Sequence, residues 1–292
     1  MKILNSIPLI CPQIVFKDRF GHPNAFVEMN PAIWFDEVTE VWTVLVRGVN
    51  YRKYLNSSFT LYHSPAHSLY WIAEGKELQT LEFRELKFEY GSSIRYASYW
   101  NGVEDIRFLD RNTVIACVPQ LNPDGGPALF KAKINRERSV LESYQALEPH
   151  ENPEKNWLPF PGGHIVLYKC SPLTLKPLET DFKQEVPCSL DVQEALKGYH
   201  GSTNGVKIGS DWLFLIHKNN VPSPERSSGE NRTVHRWLWI SEDYLNIRVS
   251  DPFTFFNHSY IEFPCGLVYK DDTLYVSLGV NDDKAYILQV QI

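Results

Sequence analysis

The residues best suited to chemistry lie in one short segment, NGVEDIRF, from Asn101 to Phe108. Glu104 and Asp105 are adjacent carboxylates, and Arg107 follows two positions after Asp105. Because successive side chains of a strand point to opposite faces, Asp105 and Arg107 would share one face and Glu104 would take the other. Cleavage of a glycosidic bond needs a carboxylic acid that protonates the leaving oxygen, and a second group that activates or acts as the nucleophile. Asp105 is the candidate acid, and a same-face ion pair with Arg107 is the structural alternative.

Other polar residues stand where apolar strand-like segments begin or end. They mix carboxylates, amides and bases, and they would converge if those segments are equivalent elements of one fold. Surface turns also favour Asp and Asn, so ordinary turn positions are the alternative for several of them. The candidate substrate-binding residues are Arg47, Asn50, Tyr51, Glu104, Arg107, Asn156, Ser202, Asn204 and Asp282.

A second set of side chains suits an anion. Lys155, His217 and the dipeptide His235-Arg236 would supply positive charge to a phosphate or a nucleotide diphosphate. The alternatives are solvation for Lys155 and hydrogen bonding in the core for His217, which ends the apolar run WLFLIH. Glu262 is the candidate general base if water is the nucleophile.

The elements that would position these residues form a repeated unit. Each copy opens with polar residues and a small apolar strand, turns, and continues as a strongly apolar strand that ends in a polar residue. The turns fall at 35–37, 110–112, 162–163, 209–211 and 270–272. The five copies run from Asn30 to Tyr51, from Glu104 to Leu121, from Glu154 to Pro172, from Ser202 to Asn220 and from Ile261 to Asp282.

Five units of about four strands each predict an all-β protein, a five-bladed β-propeller that occupies residues 1–292 as a single domain. A pair of β-sandwiches is the alternative. In a propeller the inner strands line a central channel, so the polar openings of the units would meet at one end. The only helical pattern of note is the short run from Leu190 to Lys197, with Asp191 as a possible N-cap.

Composition excludes several classes of function. The 292-residue chain has 43% hydrophobic residues and a formal net charge of -6, with no basic block, so a nucleic-acid partner is not expected. No segment approaches the roughly 20 apolar residues of a membrane span. The five cysteines show no CxxC spacing, so buried thiols, no metal site and a cytoplasmic location are expected. Nucleotide-binding glycine loops and the GxSxG and HExxH motifs are absent from the sequence.

Four segments together resemble glycoside hydrolase family 130, which holds mannoside phosphorylases and mannosidases on a five-bladed propeller. NGVEDIRF is similar to the family's GxEDPR motif, and WLFLIHK (Trp212 to Lys218) is similar to WLLIYHG. FPCGLVYKDDTLYVSLGVND, from Phe263 to Asp282, is similar to FPEGAVVRDGTLYLYYGAAD. EKNWLPF with the following HIVLYK resembles the third-blade segment. The resemblance touches most of the chain from about Asn30 onward.

Carried over residue by residue, the resemblance makes Asp105 the catalytic acid and Asp282 a residue that holds the sugar. It places His217 and Lys155 near phosphate-binding positions, and it puts Lys169 where phosphorylases often carry an arginine. The sequence departs from the family at three places. Ile106 replaces the proline of the first motif, Cys265 replaces the glutamate of FPEG, and Tyr168-Lys169 replaces His-Arg. The phosphate site is therefore incomplete in the sequence.

These departures leave several reactions open. The resemblance favours an inverting enzyme that forms or cleaves a glycosidic bond, either a β-mannoside-type phosphorylase or a glycosyltransferase. An inverting glycoside hydrolase and a non-catalytic sugar-binding propeller are the alternatives. The expected partner is a sugar or oligosaccharide, with inorganic phosphate or a nucleotide sugar as co-substrate and no cofactor. The sequence leaves the oligomeric state undetermined.

Overall fold

The computed structural model describes residues 1–53, 59–61, 65–147, 155–222 and 231–292. Within these ranges the protein is mostly β, with one α-helix, so the predicted all-β class is confirmed. The helix α1 (Leu190–Leu196) begins after Ser189, whose Oγ accepts a hydrogen bond from the Val192 backbone N–H at 3.4 Å. Ser189 is therefore the N-cap, and the expected cap Asp191 lies in the first turn, where its charge faces the positive end of the helix dipole.

The strands of the first half of the chain form hairpins joined by short turns. In chain order they are β1 (Lys2–Pro8), β2 (Val15–Lys17), β3 (Pro23–Ala25), β4 (Val27–Asp36), β5 (Val41–Val49), β6 (Tyr51–Lys53), β7 (Phe59–Leu61), β8 (Ala66–Gly75), β9 (Arg84–Phe88), β10 (Trp100–Asn101), β11 (Glu104–Phe108), β12 (Thr113–Cys117), β13 (Leu129–Asn135) and β14 (Val140–Ala146).

The strands of the second half follow the same plan. They are β15 (Leu158–Pro159), β16 (Ile165–Cys170), β17 (Leu173–Pro177), β18 (Gln184–Glu185), β19 (His200–Gly201), β20 (Val206–Ile208), β21 (Asp211–Pro222), β22 (Asn231–Ser241), β23 (Ile247–Val249), β24 (Glu262–Lys270), β25 (Thr273–Val280) and β26 (Lys284–Gln291).

The main strands pair as antiparallel groups of neighbours in sequence. Group one is β4-β5-β8-β9, group two is β11-β12-β13-β14, and group three is β15-β16-β17-β18. Group four is β21-β22-β23 with both β19 and β20 on the free side of β21, and group five is β24-β25-β26-β1. The chain's first strand thus completes the group formed by its last three. A short parallel pairing of β14 with β9 joins groups one and two.

Each predicted unit begins with the first two strands of a group, and the predicted turns lie at or beside the observed hairpin turns. Apolar clusters then fill the space between consecutive groups. Each cluster contains residues of two consecutive groups. Examples are Ile106 and Leu45 for groups one and two, Trp157 and Ile115 for two and three, Phe214 and Leu167 for three and four, Leu215 and Val276 for four and five, and Ile287 and Val44 for five and one.

Asn204 fastens group four to group five. Its side-chain Nδ2 donates to the Leu267 carbonyl at 2.9 Å, and its Oδ1 accepts from the Leu267 backbone N–H at 3.1 Å, with the side chain buried. Asn204, a predicted binding residue, therefore holds two strands together. Both groups on Leu267 would lose their partner if the amide were removed.

We expect Asn204→Ala to lower the free energy of unfolding by about 2–4 kcal/mol, because two buried backbone groups and their desolvation are then uncompensated. Urea denaturation measures the change. Asn246→Ala removes the same amide at an exposed position and serves as the control. Equal stabilities of the two variants would contradict the fastening role of Asn204.

Candidate active site

The residues that open the first three groups leave the regular strand conformation. Asn30, Asp105 and Asn156 have φ values of 39°, 48° and 64°, in the left-handed region that Asn and Asp tolerate better than other side chains. The register shifts beside Asn30 in β4, and between Glu104 and Arg107 in β11. Such bulges redirect side chains. The side chains of Asn30, Asp105 and Asn156 can therefore point toward one region around Asp105, which regular strand geometry would not allow.

The redirected Asp105 changes the face assignment expected from strand alternation. Arg47 Nη1 lies 3.1 Å from Asp105 Oδ1, and Arg47 Nη2 lies 2.6 Å from Glu104 Oε1. Both carboxylates thus meet one guanidinium, and the prediction that they point to opposite faces is wrong. Arg47 Nε donates to Ser68 Oγ at 2.9 Å, and Asn30 Nδ2 donates to Asp105 Oδ1 at 3.0 Å. Arg47 is 3% exposed, so this clamp is buried.

Arg107 forms a second buried support, and it does not pair with the Asp105 carboxylate. Its Nη1 donates to the Asp105 backbone carbonyl at 3.1 Å, its Nη2 donates to Asn156 Oδ1 at 3.3 Å, and its Nε donates to the Ser202 carbonyl. The guanidinium also lies over the Phe263 ring, 6.0 Å from its centroid. The same-face ion pair considered from the sequence is therefore absent, and Arg107 positions the backbone of groups two, three and four around Asp105.

Asp105 is held in its ionised form. Burial alone would raise the pKa of Asp105, but the charges of Arg47, Lys155 and Arg107 and the hydrogen bond from Asn30 outweigh it, so the pKa lies below the ordinary value of 3.8. Lys155 Nζ lies 3.1 Å from Glu104 Oε2, and its side chain is 42% exposed. Glu104 thus bridges Arg47 and Lys155, and Lys155 is the accessible cation of the cluster.

Glu262, the predicted base, has its acceptor positions occupied. Its Oε1 accepts from the Phe256 backbone N–H at 2.7 Å and from Ser259 Oγ, and its Oε2 accepts from the Phe255 backbone N–H at 2.9 Å. His235 Nε2 lies 3.0 Å from the same Oε2. These hydrogen bonds stabilise the carboxylate and hold the pKa of Glu262 below its ordinary value despite burial. This geometry orders the 253–259 loop and leaves the carboxylate 1% exposed.

His217 is buried beside the cluster as a neutral imidazole. Its Nδ1 lies 2.7 Å from Ser202 Oγ, and its ring lies 5.0 Å from the Phe263 ring. Burial, followed by His235, His200 and Arg107, lowers the pKa of His217 from 6.5 to about 3. A neutral ring can hydrogen-bond a ligand but cannot supply the positive charge expected from the sequence.

This burial predicts a pH dependence of stability. In the unfolded chain His217 is protonated below about pH 6.5, whereas in the folded protein it is protonated only below about pH 3. Between these values the unfolded chain binds more protons, so the stability of the protein falls as the pH drops. The contribution of His217 amounts to about 2 kcal/mol between pH 7 and pH 5. Urea unfolding at both pH values should show a smaller drop for His217→Gln than for the wild type. The exposed His258→Gln is the control, and parallel drops in all three proteins would contradict the assignment.

The remaining substrate-binding candidates lie at one edge of the cluster or within the framework. Burial raises the pKa of Tyr51, the charge of Arg47 lowers it, and the charge of Asp282 raises it, so both charges act on the Tyr51 hydroxyl. Tyr51 packs against Trp100 with ring centroids 5.6 Å apart. The Asn50 side chain is buried and accepts from the His67 backbone N–H at 2.7 Å, which makes it a turn support.

Three residues of the predicted phosphate site have other surroundings. Lys169 is exposed, with Nζ 5.3 Å from the Tyr168 ring centroid. His235 is fully buried against Glu262. Arg236 is the next residue along β22, so it points to the opposite face of the sheet from His235. The dipeptide cannot serve one ligand with both side chains, so we do not assign Lys169, His235 or Arg236 to a phosphate site at the Asp105 cluster.

Three residues of the site were not predicted from the sequence: Asn30 contacts Asp105, Ser68 contacts Arg47, and Phe263 contacts both Arg107 and His217. Asn30 had a visible signal, because it opens the first repeated unit as Asp105 opens the second. Ser68 and Phe263 carry no comparable signal. Among the described residues, no group of three or more His, Cys, Asp or Glu side chains is arranged to hold a metal ion, and no helix has the length and apolar character needed to cross a membrane.

Sequence comparison finds no match among protein families or curated proteins. Structure comparison finds many. The β-1,2-mannobiose phosphorylase of Listeria innocua superposes with a TM-score of 0.59 at 14% identity, over 99% of this chain and 97% of that one. A mannose phosphorylase from Leishmania mexicana, solved with a phosphate ion, gives 0.59 at 11% identity over 99% and 89%.

A third structure comes from work on family 130 glycoside hydrolases that target β-1,2 mannosidic linkages in Candida mannan. It gives a TM-score of 0.60 at 13% identity, over 97% of this chain and 91% of that one. These family 130 neighbours are β-propellers. The chain therefore has the fold of the mannoside phosphorylases and hydrolases of glycoside hydrolase family 130, which confirms the resemblance in the sequence at the level of the fold.

Proposed function

We propose that this protein is a carbohydrate-active enzyme that forms or cleaves a β-mannoside-type glycosidic bond with inversion, using inorganic phosphate as co-substrate and no cofactor. The observation that carries the proposal is the state of Asp105. Both hydrogen bonds to its side chain go to Oδ1, and among the described residues none goes to Oδ2. The side chain is 14% exposed. Oδ1 is therefore held in place, and Oδ2 remains open to a substrate.

The engagement of Glu262 and Glu104 by hydrogen-bond donors favours phosphate over water as the nucleophile. An inverting hydrolase needs a base that activates water. Glu262 is bound by four donors, and Glu104 is bound by Arg47 and Lys155. A phosphate ion is already a nucleophile and needs no such base, so a site in which Glu104 and Glu262 are engaged and Asp105 exchanges the proton suits phosphorolysis.

In the proposed reaction a phosphate oxygen attacks the anomeric carbon from the face opposite the leaving group. The bond between that carbon and the glycosidic oxygen breaks, and the oxygen takes a proton from Asp105, directly or through a substrate hydroxyl. In synthesis the Asp105 carboxylate removes the proton from the acceptor hydroxyl. Because the pKa of Asp105 is lowered, Asp105 is ionised in the free protein, and the ionised carboxylate is the form that synthesis requires. A phosphate bound near Lys155 would partly offset the cations and raise that pKa for cleavage.

We also propose that the five strand groups are the five blades of a single-domain propeller covering residues 1–292. Apolar clusters join each group to the next and join the fifth to the first, as a closed ring requires. β1 completes the fifth group and so ties the two ends of the chain together. The left-handed residues at the starts of β4 and β11 then face the channel at one end, where Asp105 lies.

A donor panel tests the function. The protein is incubated with β-1,2-mannobiose and phosphate, with β-1,2-mannobiose in phosphate-free buffer, and with mannose plus GDP-mannose. The proposal predicts mannose 1-phosphate from the first mixture alone. Mannose released at the same rate without phosphate would identify a hydrolase, and transfer from GDP-mannose would identify a glycosyltransferase. Calorimetric binding of mannobiose without turnover in any mixture would identify a sugar-binding propeller.

A further inference from the structure

A cavity of about 300 Å³ lies away from Asp105, at the end of β21 and the start of β22. Arg232, Val234 and Arg236 alternate along β22, so their side chains share one face, and all three line this cavity. His235 points to the other face and contacts Glu262. The cavity is therefore separated from the Asp105 cluster by the thickness of the sheet. Its charged and aromatic lining consists mainly of Lys197, Lys218, Arg232, Arg236, Tyr199 and Phe253.

The cavity concentrates positive charge. It has four cationic side chains and one carboxylate, Glu194, which lies 3.6 Å from Lys197 with both side chains largely exposed. An exposed pair of this kind contributes little. Lys218 Nζ donates to the Lys197 carbonyl at 3.2 Å, and Arg236 Nη1 donates to the Ser250 carbonyl. These partners are neutral, so no carboxylate among the described residues pairs with Lys218 or Arg236.

The two guanidinium groups are incompletely satisfied. The Nε atoms of Arg232 and Arg236 are buried and have no hydrogen-bond partner in the part of the chain that the structure describes. The Arg236 guanidinium lies over the Tyr199 ring at 5.4 Å, which fixes its plane, and Lys218 Nζ lies 5.9 Å from the same ring centroid. Lys218 and Arg236 thus lie beside one aromatic ring, each with a neutral hydrogen-bond partner, and this arrangement suits an anion bound next to them.

We propose that this cavity binds a ligand that carries a phosphoryl group on a small organic body. Planar guanidinium groups match the oxygen atoms of a phosphate, and lysines add point charge. Phe253 supplies an apolar surface against which a sugar or a base would pack. A volume near 300 Å³ lies at the lower end of small-molecule sites and suits a ligand of the size of a sugar phosphate. This site is independent of the glycosidic chemistry assigned to Asp105.

Isothermal titration calorimetry tests the proposal with three probes: inorganic phosphate, mannose 6-phosphate and GDP. The wild type should bind at least one of them, and Lys218→Ala/Arg236→Gln should bind that probe at least 10-fold more weakly. Lys207→Ala is the matched control, because Lys207 is a surface lysine of the same group that pairs with Glu242 at 2.8 Å. The probe that binds best distinguishes a free phosphate, a sugar phosphate and a nucleoside diphosphate as the source of the anion.

Asp105→Asn separates this site from the active site. It should keep the probe affinity of the wild type, whereas the Lys218→Ala/Arg236→Gln protein should keep its glycosidic activity. If the double variant melts well below the wild type, Lys197→Ala/Lys218→Ala replaces it, since Lys197 is 73% exposed. The proposal would be overturned if the folded double variant bound the probe as tightly as the wild type does. It would also be overturned if none of the three probes bound to the wild type. Neither result would bear on the reaction assigned to Asp105.

Discussion

Asp105→Asn is expected to lower the turnover of β-1,2-mannobiose by about 100- to 10,000-fold, the range that general acid–base catalysis contributes. Asn keeps the size of the side chain, and it tolerates the left-handed backbone at φ 48°. It also keeps an oxygen that can accept from Asn30 and Arg47. The backbone and the clamp should survive, and only the ability to exchange a proton is lost. Initial rates at saturating substrate measure the effect.

Asp272→Asn is the matched control, because Asp272 also has a positive φ, of 57°, and is exposed on the turn of group five. Its activity should equal that of the wild type. Retention of full activity by Asp105→Asn, with the control unchanged, would remove Asp105 from the mechanism.

The second large effect concerns stability. Arg47→Met is expected to lower the free energy of unfolding by about 3–5 kcal/mol, because it leaves Glu104 and Asp105 buried without the cation that contacts both. Methionine fills much of the space of the arginine, so the lost free energy of unfolding comes mainly from the missing charge and less from the missing volume. Guanidinium chloride unfolding measures it, and the same variant should raise the pKa of Asp105.

Two further variants test whether the loss comes from the charges. Arg248→Met breaks a surface pair with Asp211 in which the arginine is 57% exposed, and it should cost at most about 1 kcal/mol. Arg47→Met/Asp105→Asn removes one of the stranded charges and should recover part of the loss, a coupling that a double-mutant cycle measures. The clamp would be contradicted if the stability losses of Arg47→Met and Asp105→Asn were simply additive in the double variant. It would also be contradicted if Arg47→Met were as stable as the Arg248→Met control.

Much of the fold could be predicted because turns and strands have local signals. The predicted turns at Gly162-Gly163 and Asp271-Asp272 lie where hairpins reverse. Strongly apolar runs such as WLFLIH became the second strands of groups, buried on both faces. The helix was found within one residue, but its cap was not, because Ser189 and Asp191 are both good capping residues and only the backbone decides between them.

The site was harder to predict because it depends on departures from regular strands. Strand alternation put Glu104 and Asp105 on opposite faces, and the bulge at Asp105 overturned that assignment. Glu262 looked available from its position, but four donors from the loop before it and from His235 saturate it. Arg236 was predicted to contribute to the active site, but it lies on the opposite face of the sheet from His235 and lines the cavity beside Tyr199. The contacts of Arg47 with Asp105 and of His235 with Glu262 join distant parts of the chain, and a single sequence does not encode them visibly.

The most direct test of the central claim is an NMR time course of β-1,2-mannobiose with inorganic phosphate, following ¹H and ³¹P signals together. The account predicts that α-mannose 1-phosphate and mannose appear in equal amounts, that the rate depends on phosphate, and that Asp105→Asn abolishes both signals. Three results would contradict the account. They are free mannose in excess of the phosphate ester, formation of the β-anomer of the ester, and a spectrum that does not change with time in the presence of the wild-type protein.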